Sequence, residues 1–215
     1  MAITNITTAN QTTDETDPID CSIVVTDGAG NNRKVIVFIT EERVPTQTVV
    51  PTLNGVSGVL VRTESSSALR VSLFEWNDTN LPATSGTYTV SWAVNGSNAA
   101  LSVLSCSGAK QISCACPSAQ SGFPGVNPPA FNLVADANSV AIIGFVDQSS
   151  TAVLTPGANQ VDILATTDTG SAAHAASYNV TNLTLRYTRL VNNAMASVAA
   201  AIEPYYEVPV GWTGV

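Results

Sequence analysis

Residues able to carry acid–base, nucleophilic or metal chemistry are few in this 215-residue chain. There are one histidine, two lysines, four cysteines and 16 carboxylates, and no motif joins them. His174 could act as a general base, since imidazole titrates near neutrality. It sits among Gly, Ala and Ser in Gly170–Ser177, without a Gly-x-Ser-x-Gly nucleophile elbow, and reads as a loop histidine with no catalytic task. Asp162 with Asp168, or Glu75 with Asp78, could divide acid and base roles at a glycosidic bond. That reaction needs a cleft with aromatic platforms, and aromatics form only 6% of the chain. Asp14, Asp17 and Asp20 offer the oxygen ligands calcium prefers. The glycine and terminal glutamate of an EF-hand loop are missing, so a solvated acidic segment is expected. The chain therefore reads as non-enzymatic, with no cofactor and no metal.

The cysteines are Cys21, Cys106, Cys114 and Cys116. Their Cys-x7-Cys-x-Cys spacing with one distant histidine does not fit a zinc site. Cys114 and Cys116 on one strand would project in parallel, about 6.6 Å apart along the backbone, a strained geometry for a bridge. Two readings stay open. Cys106 can reach Cys114 or Cys116 across a hairpin, or the thiols are small buried hydrophobes left reduced, which is the preferred reading.

Charge narrows the partners. Net charge is −8, and the eight basic residues are scattered, with only Arg33 and Lys34 adjacent. The first 20 residues carry Asp14, Glu15, Asp17 and Asp20 with no base. Phosphate neutralisation needs clustered Lys and Arg, so a nucleic-acid partner is not expected. No run of 18 apolar residues is present, and no membrane span is expected. The segment from Met1 to Thr8 lacks a charged n-region and an apolar h-region, so no secretory leader is expected. Asn-x-Ser/Thr sequons at Asn5, Asn10, Asn77, Asn95, Asn179 and Asn182 are little more than this Asn- and Thr-rich composition produces by chance.

The elements that must position these residues are strands. In Gly86–Val94, Tyr88, Val90, Trp92 and Val94 face one way and Thr87, Thr89, Ser91 and Ala93 the other, the period of two of a half-buried strand. Lys34–Thr40 is apolar at consecutive positions, as in a central strand covered on both faces. Further strands are predicted at Ile3–Thr8, Cys21–Thr26, Val56–Thr63, Ala68–Glu75, Ala99–Ser105, Phe131–Ala135, Ser139–Val146, Gln160–Thr166 and Tyr178–Val191. Asn95-Gly96 is a type I′ hairpin dipeptide, and residues 117–130 read as an exposed Pro/Gly loop. Asn193–Ile202 has the alanines of a helix, but its alternation and small residues favour a strand pressed against a neighbouring sheet. The predicted fold is all-β, an antiparallel two-sheet β-sandwich that is jelly-roll-like. Residues 1–20 form a polar arm or edge strand, 21–202 the sandwich, and 203–215 an extended tail.

In the segments Ser67–Trp76, Ser85–Trp92, Ala99–Gly108, Asn138–Gly144, Leu154–Gln160 and Ala196–Ile202, the chain resembles β-sandwich proteins common among bacteriophage structural components and some bacterial surface proteins. The likeness spans residues 67–202 and rests on packing and turn signals, so no functional residue transfers with it. It implies a virion component or surface module without catalytic residues. The leading expectation is a virion protein of the capsid decoration (cement) or fibre-base type, and the expected lack of a secretory leader fits assembly in the host cytoplasm. The implied partners are major capsid or tail subunits and further copies of the chain, as in a trimer. In the tail, Tyr205, Tyr206 and Trp212 are the candidate partner contacts, since aromatic anchors are favoured at interfaces. Packing over the open end of their own domain is the competing reading. A receptor- or glycan-binding tail module, using loops 117–130 or 147–159, is the alternative function.

Overall fold

The computed structural model describes residues 2–14, 18–42, 49–93, 98–122, 130–148, 154–169, 172–188 and 193–206, with the side chains of residues 13, 14, 116 and 166–169 excepted. In chain order the strands are β1 (Thr4–Asp14), β2 (Ile19–Val25), β3 (Lys34–Glu42), β4 (Thr52–Leu53), β5 (Val56–Ser57), β6 (Val59–Ser66), β7 (Leu69–Asn77), β8 (Gly86–Trp92) and β9 (Asn98–Ser107). They continue with β10 (Ala115–Gly122), β11 (Phe131–Asn132), β12 (Val140–Asp147), β13 (Thr155–Pro156), β14 (Val161–Thr169), β15 (Ala172–Asn179), β16 (Thr184–Leu185), β17 (Tyr187–Thr188) and β18 (Met195–Ile202). Among the described residues there is no α-helix, only the single 3-10 turn Asp78–Asn80.

Two five-stranded antiparallel sheets, β1-β9-β3-β7-β6 and β10-β18-β12-β15-β14, lie face to face. This is the predicted sandwich, and each of its sheets carries a further layer outside. The four-stranded sheet β2-β8-β4-β5 covers the first, and the ribbons β11-β16 and β13-β17 cover the second. The pleat of β3 shows the layering directly. Ile36 and Phe38 point into the core shared by the two large sheets, while Val35, Val37 and Ile39 point into the core under the four-stranded sheet. Successive strand residues face opposite ways, so a strand in a middle layer must be apolar at every position. These strand orders establish stacked antiparallel sheets; they do not single out a jelly roll.

Small residues set the spacing of the middle layers. Strand β18 is buried along its length, with Ala196, Val198, Ala200 and Ile202 on one face and Met195, Ala199 and Ala201 on the other. Burial between two layers overrides the helix preference of its alanines. Opposite Phe38, Gly144 lies so close that a Cβ there would meet the ring at 2.6 Å.

Three segments differ from expectation. Residues 117–122 belong to β10 and not to an exposed loop. Pro117 is tolerated because β10 is an edge strand paired only with β18, with its register shifted between Ala115 and Ser118. Ala172–Asn179, expected as the loop around His174, is the strand β15, buried except at Tyr178. Its Ala, Ser and His residues carry no alternation because both faces are covered. The strand expected over Tyr178–Val191 is instead the end of β15, a turn, and β16 and β17, the remainder lying outside the described residues. Asn95-Gly96 also lies outside them; the Asn-Gly hairpin that is described is Asn54-Gly55, both at positive φ between β4 and β5.

Because Phe38 is packed on all sides, Gly144→Ala is expected to destabilise the protein by about 1–3 kcal/mol, the usual cost of overpacking a core. Urea unfolding would read this, and a variant as stable as the parent would show that the two sheets can separate at this point.

Candidate functional site

Ionisable side chains collect at the two ends of the sandwich. At the end where β3 begins, Lys34 Nζ donates to Glu75 Oε2 at 2.9 Å and to the Ile112 carbonyl at 2.6 Å, with both charged groups buried. The Cys114 amide donates to the same Glu75 oxygen at 3.1 Å. Alongside, buried Arg33 donates from Nε to Asp78 Oδ1 and from Nη1 to the Asp27 and Pro82 carbonyls. Asp78 Oδ2 in turn accepts from the amides of Gly30 and Asn32, which closes the glycine-rich turn after β2.

The same end carries a surface cleft of about 460 Å³ between residues 135–139 and 180–183. Two polar turns build its walls. Asn179 Oδ1 accepts from Thr181 N, Thr181 Oγ1 and Asn182 N, and Ser139 donates from both N and Oγ to the Asp136 carbonyl. Lys110 bridges Asp136 and Glu203, and those two hydrogen-bonded carboxylates hold its ammonium well above the ordinary lysine range. The chain after β18 is fastened here by Lys110 N to Glu203 O, Tyr205 N to Gly108 O, and an isolated bridge between Ala109 and Pro204. Tyr206 Oη donates to the Ala137 carbonyl at 2.8 Å at the cleft, with 44% of the residue exposed. Thus Tyr205 and Tyr206, expected as partner contacts, are tied to their own sandwich through the Tyr205 amide and the Tyr206 hydroxyl; Trp212 lies outside the described residues.

At the opposite end, His174 is fully buried on β15, its Nδ1 2.9 Å from Thr40 Oγ1 across the sheet interface. The loop placement expected for it is incorrect. Burial pushes its imidazole down to about 4, against the weaker upward pull of the Glu42 charge. On the face that carries Thr40, Asn98 Nδ2 donates to Glu42 Oε2 at 3.0 Å; on the other face of the same sheet, Arg70 Nε pairs with Glu41 Oε2 at 3.0 Å. Burial raises the Glu41 carboxyl, opposed by Arg70.

The carboxylate pairs weighed for glycoside chemistry do not converge. Asp162 and Asp168 are six residues apart on β14, about 20 Å at strand rise, beyond the ~10 Å such a pair spans. Glu75 and Asp78 are each held by a separate buried cation. Asp20 Oδ1 accepts from Ser91, and the side chains of Asp14 and Asp17 lie outside the description. Among the described residues no three His, Cys, Asp or Glu side chains are grouped to hold a metal.

Cys21, Cys106 and Cys114 are free and buried, so the Cys106–Cys114 disulfide is not formed. Both Cys106 and Cys114 point into the core between the large sheets, where burial pushes the Cys106 thiol up to about 12 and raises Cys114 further. Thiols so far from ionising are poor nucleophiles at neutral pH.

Sequence reasoning missed Lys34, Lys110 and Glu203 as organising residues. For Lys34 the signal was there: Lys34 opens an apolar run, and Leu73-x-Glu75-x-Asn77 puts a carboxylate and an amide on the face of a core leucine. No family model matches the chain, and neither a curated protein nor a solved structure matches it.

The His174 environment gives a pH signature. Its folded pKa lies below the unfolded value, so the unfolded chain binds the extra proton and stability is lost as pH falls from about 6.5 towards about 4. The slope should approach 1.4 kcal/mol per pH unit (about 2.303RT for one proton). Glu41, with its carboxyl raised, contributes with the opposite sign. Urea titrations at pH 7, 6 and 5 should show the loss in the parent and not in His174→Gln; equal slopes in both would place the proton elsewhere.

Proposed function

We propose that the protein is a non-enzymatic structural component of a virion, a capsid decoration or fibre-base adaptor that joins neighbouring subunits and associates with copies of itself, as in a trimer. Supporting this most strongly is where the apolar surface lies. At two adjoining sheet edges, Val56 on β5 of the four-stranded sheet and Val59 and Leu60 on β6 of the first sheet are 42–50% exposed within five residues. Beside them Val56–Gly58 lies over Trp76, whose Nε1 donates to the Val56 carbonyl, so the strip sits on a rigid base. An edge strand has backbone groups unpaired on one side, and apolar side chains there suit docking of another chain. A second apolar group, Val134 at 81% and Val180 at 50%, lies next to and within the cleft at the start of the tail. The virion assignment draws on the resemblance of residues 67–202 to phage sandwich proteins.

The cleft favours one further reading, a glycan- or receptor-binding module of a tail. Asp136, Asn138 and Asn182 offer hydrogen bonds to hydroxyls, and Tyr206 stands at Ala137 as an aromatic neighbour.

Two measurements separate the readings. Light scattering on the purified protein should give an oligomer that Leu60→Glu converts to monomer, and purified capsids should bind it saturably, with at least tenfold weaker binding after deletion of 207–215. A monomer at all concentrations that binds a glycan array, with loss of binding in Tyr206→Ala, would reject the adaptor in favour of the glycan module.

A further inference from the structure

We propose that Lys34 and Asn77 become joined by an intramolecular isopeptide bond, with Glu75 carrying the protons. The two residues are directly opposed in the β3–β7 ladder, with no register shift along it. Directly opposed antiparallel residues put their Cβ atoms about 4.5–5.5 Å apart on one face, within the span of a lysine side chain. Glu75 is two positions from Asn77 on the same strand and so shares that face; its Oε2 already receives Lys34 Nζ at 2.9 Å. Lys34 and Glu75 are each 1% exposed, beside Ile36, Cys106 and Cys114 in the core. Asn77 Oδ1 is buried with no hydrogen-bond donor. An amide oxygen left so is unusual in a folded protein, and it is the carbonyl that an attacking amine would need.

The chemistry balances without any co-reactant. Glu75 removes a proton from the Lys34 ammonium, which it already contacts at 2.9 Å. The Nζ lone pair attacks Asn77 Cγ and forms the Nζ–Cγ bond. Glu75 returns its proton to Nδ2, the Cγ–Nδ2 bond breaks, and ammonia leaves. The excess proton on Nζ passes through Glu75 to the departing ammonia. A secondary amide, an unchanged carboxylate and an ammonium ion result. Nothing is oxidised or reduced.

The bond is read by intact mass of the denatured, reduced protein. It should be lighter than its sequence by one ammonia, and a protease digest should contain a branched peptide joining the Lys34 and Asn77 segments. Lys34→Arg keeps a cation beside Glu75 and should restore the full mass, as should Asn77→Ala if the arginine variant does not fold. Glu75→Gln should also stay at full mass over days; complete bond formation there would remove Glu75 from the reaction. Folded parent protein at full sequence mass would overturn the proposal. So would an equal ammonia loss in Lys34→Arg, which would place the loss in asparagine cyclisation. None of these outcomes depends on the virion assignment.

Discussion

A strand hydrogen-bonded along both edges and covered on both faces has no solvent in which to leave a charge. Strand β3 is such a strand, between β9 and β7 in the first sheet, with a core on each side. Yet it opens on Lys34 and closes on Glu41 and Glu42, all buried. Removing one partner of a buried ion pair typically costs several kcal/mol, about 3–5. The neighbouring strands are therefore constrained to bring a partner to each charge: Glu75 to Lys34, Arg70 to Glu41, and Asn98 to Glu42. Because β7 supplies both Glu75 and Arg70, its register against β3 is fixed at both ends. A slip by one residue would turn every one of these groups to the wrong face.

The same constraint explains which parts of the fold were legible. Gly86–Trp92 lies in an outer layer with one wet face, so its alternation survives in the sequence, with Val90 and Trp92 buried and Thr87 and Thr89 exposed. Strand β3 was legible for the opposite reason, as an unbroken apolar run. Strand β15 was not, because a middle-layer strand built of alanine, serine and one histidine shows neither alternation nor β-branched residues. Its burial is imposed by β12 and β14 on its edges and by the layers above and below. Strand β10 was hidden by Pro117, which is compatible with a strand only at a sheet edge, and edge position is a property of the whole fold.

The site was less legible than the fold. Glu75 and Asp78, three residues apart, look like a pair in sequence but fall on different groups: Glu75 faces the interior beside Lys34, and Asp78 caps the turn at Arg33. What joins residues here is cross-strand register, which links Lys34 to Asn77 over 43 positions and His174 to Thr40 over 134. No local spacing encodes such distances. The cleft likewise forms where the turn after β11 meets the turn after β15, with Lys110 tying the first of them to the end of β18.

Why should a sandwich fill its centre with alanine and glycine when leucine or isoleucine would bury more area? Gly144 against Phe38 supplies the reason. With a large ring on one sheet, the facing strand must be nearly flat to be accommodated, and β12, β15 and β18 comply with Gly144, Ala176, Ala196 and Ala200. The close approach brings His174 within hydrogen-bonding distance of Thr40 on the opposite sheet. Had the spacing been set by larger residues, that contact across the sheets would be lost. Tight layers and paired interior charges are thus one solution: the small residues bring the sheets close enough for polar groups on one to satisfy those on the other.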